Sequence, residues 1–156
     1  MKTSKSHPYT ISVDFDGVIH SYTSPWVNAR TIPDPPVPGA LAWLVEISRD
    51  FDVAIFTTRN HQWGGRRAVK RWLREQLTEF FWPVYNRCGD NWTHADVDDA
   101  AAFGAETLLK TWTFPSHKPP ALVYVDDRAW RFTGDNFPTR DEIHLARPWN
   151  KPAKAS

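Results

Sequence analysis

The chain has one cysteine, Cys88, so it cannot form an internal disulfide, and this usage fits a reducing cytoplasm. It has no long hydrophobic run: nothing approaches the roughly 18 consecutive apolar residues a membrane helix needs, so no membrane partner is expected. The opening stretch MKTSKSHPYT carries basic residues with no apolar segment behind them, which argues against a secretory signal. There is no excess of charge either. Nineteen basic and 18 acidic residues leave a formal +1, so no global field draws the chain to nucleic acid or a lipid surface. No Cys/His set has zinc spacing, and no internal repeat is present. What remains is a soluble cytoplasmic protein. At 156 residues it reads as a single domain over 1–156, long enough to bury roughly 70% of its unfolded surface.

What the chain does have is aromatics and proline: nine tryptophans, nine phenylalanines and 13 prolines. Pro25, Pro33, Pro35, Pro36 and Pro38 forbid a regular element through most of residues 18–38. That span reads as an ordered flap, with Tyr22 and Trp26 as contact residues. Ala40, Leu41, Trp43, Leu44 and Ile47 have helical spacing. Residues 51–56 form a short buried strand ending in Thr57-Thr58-Arg59. Gly64-Gly65 opens a second helix with Val69, Trp72, Leu73, Leu77, Phe80 and Phe81 on its buried side, and Pro83 is expected to stop it. Residues 86–117 leave room for a small insertion. Within them Thr93 reads as an N-cap, and a helix over 96–110 is expected to break near Gly104. After Pro119-Pro120, residues 121–125 predict another buried strand, ending in Asp126-Asp127-Arg128. Residues 1–7 and 147–156 read as polar tails.

The organising stretch is the first strand, about 9–14. Tyr9, Ile11 and Val13 alternate with Thr10 and Ser12, then Asp14 and Asp16 appear where the apolar run stops. Residues two apart on a strand share a side, so the two acids converge at its carboxyl end. Gly17 allows a sharp turn there and keeps side-chain bulk away from a ligand. Strands alternating with helices imply a parallel sheet, whose carboxyl ends share one edge. Three polar clusters then face one crevice: Asp14/Asp16, Thr57/Thr58/Arg59 and Asp126/Asp127. The acids form a hard-oxygen site suited to Mg²⁺. Thr57 adds a hydroxyl donor and Lys118 a fixed positive charge, and together these elements suit phosphoryl transfer.

These residues resemble the haloacid dehalogenase-like (HAD-like) hydrolase superfamily. Asp14-Phe15-Asp16-Gly17-Val18 looks like its first motif, Thr57 its second, Lys118 its third and Asp126-Asp127 its fourth, in family order over residues 9–132. The segment from Lys118 to Ala129 also resembles small phosphatase-like proteins of phages and bacteria. The resemblance implies an α/β fold, a three-layer doubly wound (Rossmann-like) parallel sheet. It implies a Mg²⁺-dependent phosphomonoester hydrolase in which Asp14 forms an aspartyl-phosphate and Asp16 is general acid, then base. Mg²⁺ would be held by Asp14, the Asp16 main-chain carbonyl and Asp126, with Asp127 ligating directly or through water. Thr57 would bond a phosphoryl oxygen, and Lys118 would neutralise Asp14 and the phosphate.

About forty residues separate Asp16 from Thr57, which leaves a flap rather than a large cap domain. An open site suits a bulky substrate. Thr58, Gly17 and Arg59, which directly follows the second motif, are expected at the substrate phosphate. The substrate expected is a nucleotide or a polynucleotide phosphate end, with a sugar phosphate as the alternative. Arg66, Arg67, Lys70, Arg71 and Arg74 read either as a solvated helix face or as a phosphate-tracking patch. His20 and His61 follow Asp16 and Thr57 closely enough to touch substrate. Two rival functions use the same fold: a non-catalytic phosphate- or nucleic-acid-binding adaptor, and a phosphotransferase.

Overall fold

The computed structural model describes residues 9–146 and 148–150. The tail expected over 1–7 lies outside them, as does that over 147–156 except for its residues 148–150. The chain is mixed α/β. Three parallel strands, β1 (Thr10–Val13), β2 (Asp52–Ile55) and β3 (Val123–Val125), lie in the order β2-β1-β3. Helix α1 (Ala40–Ile47) joins β1 to β2, and α2 (Gly65–Cys88) and α3 (His94–Leu109) lie between β2 and β3. A short helix α4 (Arg140–Leu145) follows.

The central strand has to be covered on both sides, and Ile11, Ser12 and Val13 are all buried. Its register is what matters for function. Val13 pairs with Ile55 on one side and with Val125 on the other. The ladders continue one residue further: Asp14 N–H donates to the Val125 carbonyl at 2.9 Å, and Phe56 N–H donates to the Val13 carbonyl at 3.0 Å. All three strands therefore stop at one level of one rim. Beyond β2, Thr113 exchanges two backbone hydrogen bonds with Val53 and Ile55, which extends the sheet outward by one short parallel bridge.

The core sits between this sheet and the helices, with Phe15, Ile19, Leu44, Ile55, Leu73 and Leu77 wholly buried. Helix α2 packs chiefly on α3. Two expectations for this region are overturned. Pro83 does not stop α2, which runs on to Cys88, and Gly104 does not interrupt α3. Pro83 lies on the solvent side, where the carbonyl it leaves unbonded can take water. Contacts with α3 hold the turns beyond it. The Trp82 ring stacks on His94 at 5.6 Å and its N–H donates to Asp98 at 2.8 Å, while Tyr85 packs on Gly104. Glycine at 104 serves that close approach. Thr93 caps α3 in a full capping box with Asp96, as its sequence position suggested. The stretch 86–117 is thus the end of α2, α3 and the segment bridged to β2.

The third strand departs from expectation as well. Residues 121–125 were expected to be buried, yet Leu122, Val123 and Tyr124 are exposed and only Val125 packs against the core. β3 is the edge of the sheet, and α4, which has no buried residue, does not cover it. Truncating Leu77, wholly buried on α2, should leave a cavity. Leu77→Ala is expected to lower unfolding free energy by about 2–5 kcal/mol in urea denaturation, with the fold retained.

Candidate functional site

The shared rim carries a cleft of about 630 Å³ lined by Asp14, Asp16, Thr57, Thr58, Lys118 and Asp126, among others. Six residues proposed from sequence are therefore gathered at one place, from three strand ends and the loop before β3. Tyr22 and Trp26 of the 18–38 segment also line it.

The first half of the site is a group of carboxylates. Single oxygens of Asp14, Asp126 and Asp127 lie within 4.8 Å of one another. One Asp14 oxygen accepts the Phe15 N–H at 2.7 Å, and Asp126 accepts the Arg128 N–H at 2.8 Å. Asp127 differs from both. Its side chain is only 2% exposed, and among the described residues neither of its buried oxygens has a hydrogen-bond partner, the Arg128 guanidinium standing off at 3.9 Å as its one ion pair. An ionised carboxylate in that state is expensive unless a cation completes it. Burial and the neighbouring acids push Asp14 up to about 7, and burial also raises Asp127. Crowded acids, all oxygen donors, and a buried carboxylate with no hydrogen bond and only a long ion pair to Arg128 could hold a hard divalent cation such as Mg²⁺.

Gly17 serves this half differently from expectation. It has φ +86°, and a side chain there would run into the Asp127 carboxylate. The glycine makes room for an acid of the site, not for substrate.

The second half of the site is a clamp on Asp16. Its carboxylate does not join the other three. One oxygen accepts from Arg59 Nε at 2.7 Å, and the other accepts from Arg59 Nη2 at 3.0 Å and from His20 Nδ1 at 2.9 Å. His20 Nε2 in turn accepts the Asp34 N–H at 3.2 Å, which assigns the imidazole proton to Nδ1. Although burial works the other way, these donors hold Asp16 below the usual carboxylate range. The remaining Arg59 nitrogen donates to the carbonyls of Asn28, Ala29 and Thr31. Arg59 is only 1% exposed. Its expected role at the substrate phosphate is corrected: its donors are already taken by Asp16 and the flap. His20 is likewise wholly buried and orients Asp16 instead of touching substrate.

Two residues remain. The buried Thr57 hydroxyl accepts the Arg59 N–H at 3.3 Å, which leaves its own proton free to donate into the cleft. Lys118 lines the cleft, but its ammonium lies 4.2 Å from the centre of the Tyr124 ring and makes no ion pair with Asp14. The neutralising contact expected of it is not made in this arrangement.

Trp149 and Asn150 touch the same region. The Trp149 ring N–H donates to the Gly17 carbonyl at 2.6 Å, and Asn150 donates to the carbonyls of Ser21 and Tyr22. Sequence reasoning missed Asp34, Tyr124 and Trp149, and gave His20 a place at the substrate instead of on Asp16. The spacing that drew attention to His20, four residues beyond Asp16 across a glycine turn, is the one that seats it on the Asp16 carboxylate. Comparison of the chain with protein-family models, with curated proteins and with solved structures finds no match in any of the three.

Two measurements test these two halves. Arg59→Met takes two of the three donors from Asp16 and the shared guanidinium donor from three carbonyls, and should destabilise the fold by about 3–5 kcal/mol in urea. In chelator, Asp14 favours its neutral form. A raised carboxyl pKa gives stability that is present below the unfolded value near 3.8 and lost as pH rises through about 7. Metal-free Asp14→Asn should therefore melt above wild type at pH 8, by about 4 kcal/mol at most. The gap should close as pH falls towards 4. A pH-independent gap would contradict the assignment.

Proposed function

We propose that this chain is a cytoplasmic, Mg²⁺-dependent phosphomonoester hydrolase of the HAD-like type, acting through an aspartyl-phosphate on Asp14. One observation carries the reading: Asp14 and the Asp126–Asp127 pair, 112 residues apart in sequence, share one rim with their oxygens within 4.8 Å. The strand order supports it. The chain builds outward from β1 through β2 to the Thr113 bridge, then returns to the other side of β1 as β3. That path is the one a doubly wound sheet takes. In such sheets ligands bind where the order reverses, here between β1 and β3.

Asp14, Asp126 and Asp127, with the Asp16 main-chain carbonyl, would hold Mg²⁺, which supplies charge neutralisation for the carboxylates and the phosphate oxygens. The chain's own groups do the rest. An Asp14 oxygen attacks phosphorus while the ester P–O bond breaks, and the electron pair leaves with the substrate oxygen. Thr57 donates its hydroxyl proton as a hydrogen bond to a phosphoryl oxygen. Asp16 gives the leaving oxygen its proton. The clamp works against protonation, but an approaching phosphate dianion adds a like charge that raises the affinity of Asp16 for a proton. Asp16 then takes a proton from water, whose oxygen attacks phosphorus and breaks the bond to Asp14. Phosphate leaves, Asp14 is restored as a carboxylate and Asp16 as the protonated acid.

The substrate class we favour is a nucleotide or a polynucleotide phosphate end. Trp26, half-exposed at the cleft and 4.6 Å from the Arg59 guanidinium, offers a flat surface for a base.

A second reading has its own support. Asp16 is fully engaged by Arg59 and His20, and Lys118 rests on Tyr124, an arrangement that also suits a binding module recognising phosphate without turning it over. Phosphate release from nucleotides, sugar phosphates and phosphorylated oligonucleotides separates the two. Hydrolysis should need Mg²⁺ and should fall to background in Asp14→Asn. Mg²⁺-dependent phosphate binding without release from any substrate would favour the binding module. Phosphoryl products with added alcohols would favour a phosphotransferase.

A further inference from the structure

A second cleft, of about 820 Å³, opens beside the first, and Gln62 lines both. Its character is the opposite. Arg30, Arg66, Arg67, Lys70 and Arg71 line it and no acidic residue does. All five are exposed, and among the described residues none forms an ion pair. In a chain with a formal charge of +1, this is a local concentration of unneutralised cations.

The cluster is also placed against the interest of the helix that carries it. Arg66 and Arg67 stand in the first turn of α2, which contains no acid and has Gly64 as an N-cap without a side-chain bond. The positive end of a helix dipole disfavours cations there. A bound anion would reverse that sign, adding to what the uncapped N–H groups offer.

An aromatic platform completes the surface. Trp63 is 84% exposed at the cleft, with the Arg30 guanidinium 4.9 Å from its ring centre. The Arg30 side chain lies across Gly64, where a Cβ would meet its Cδ at 2.9 Å. Platform and cation are thus fixed together. A lone phosphate has no use for an exposed indole, and a lipid surface would call for further large apolar residues beside it, which the cleft lining lacks, whereas a base stacks on an indole alone. Cations spread along a cleft with an aromatic ring at its edge match a chain of phosphates and bases.

We propose that the cleft between Arg30, Trp63 and the first two turns of α2 binds single-stranded nucleic acid. Bases stack on Trp63, and the backbone lies along Arg66, Arg67, Lys70 and Arg71. Because Gln62 borders both clefts, a strand held here can present its terminal phosphate to the carboxylate rim. Only that last step rests on the hydrolase reading.

The test uses fluorescence anisotropy of a dye-labelled single-stranded oligonucleotide with hydroxyls at both ends, so no phosphatase activity is needed. Wild type should bind with salt-dependent affinity. Arg67→Glu/Arg71→Glu should weaken binding at least about tenfold and flatten the slope of log affinity against log salt by roughly 1.4, two phosphates' worth. Trp63→Ala should weaken it at least about fivefold. Glutamate at position 67 suits the helix N-terminus, so the double variant should melt no lower than wild type, which excludes unfolding as the cause. Asp14→Asn should bind like wild type. The proposal is overturned if wild type does not bind at low salt, if the charge reversal has no effect, or if Asp14→Asn abolishes binding. It is equally overturned if duplex binds as well and is indifferent to Trp63→Ala, or if only phosphatidylserine vesicles bind. Should the oligonucleotide bind while its 3′- and 5′-phosphorylated forms are never hydrolysed, the binding site stands and the hydrolase reading falls.

Discussion

The structure depends on one buried ion pair, the Arg59 fork on the Asp16 carboxylate. Arg59 follows the end of β2, Asp16 follows the end of β1, and the carbonyls that share the guanidinium belong to residues 28–31. One side chain thus joins two strand ends and the proline-rich segment over them. Removing either partner would strand a charge in a nearly dry place, which is why such pairs act as locks even when their net contribution is small. The 18–38 segment has no regular helix or strand, and its order comes from this lock and from smaller ones. Asp34 accepts from Ser24 through both backbone and hydroxyl, while His20 bridges Asp16 and the Asp34 backbone.

The lock also divides the acids of the rim by environment. Asp16 sits among donors and stays ionised; Asp14 sits among other carboxylates and resists ionisation. Two aspartates two residues apart are thereby given opposite proton affinities in the metal-free chain, the reverse of what a nucleophilic Asp14 and an acidic Asp16 would need, so a cation beside Asp14 and a phosphate beside Asp16 would have to invert them. The neighbouring cleft continues the pattern on a larger scale, with acids on one side of Gln62 and cations on the other.

Much of this was legible in the sequence because it follows from short-range rules. Alternation up to Val13, then acids, placed Asp14 and Asp16 at a strand end. Parallel strands put Thr57 and Asp126 on the same rim. The Thr93 cap followed from its spacing to Asp96. What was not legible depended on long-range contacts. Pro83 is a sound helix terminator locally, yet Tyr85 on Gly104 and Trp82 on His94 keep the helix going. Residues 121–125 are apolar enough for a core, and nothing local says that β3 is an edge. An arginine after a strand looks available to a ligand, and only the fold reveals that Asn28, Ala29, Thr31 and Asp16 have already consumed its donors. Helix boundaries and edge strands are decided by neighbours, which sequence periodicity does not report.

The bond from Trp149 to the Gly17 carbonyl spans 132 residues. Contacts of such separation carry a large closure entropy and are slow to form relative to local ones. During synthesis β1 and β2 leave the ribosome before β3, Asp126 and Trp149 and can pair first. The nascent chain therefore passes through a stage with β1 and β2 paired and the rim still lacking Asp126 and Asp127.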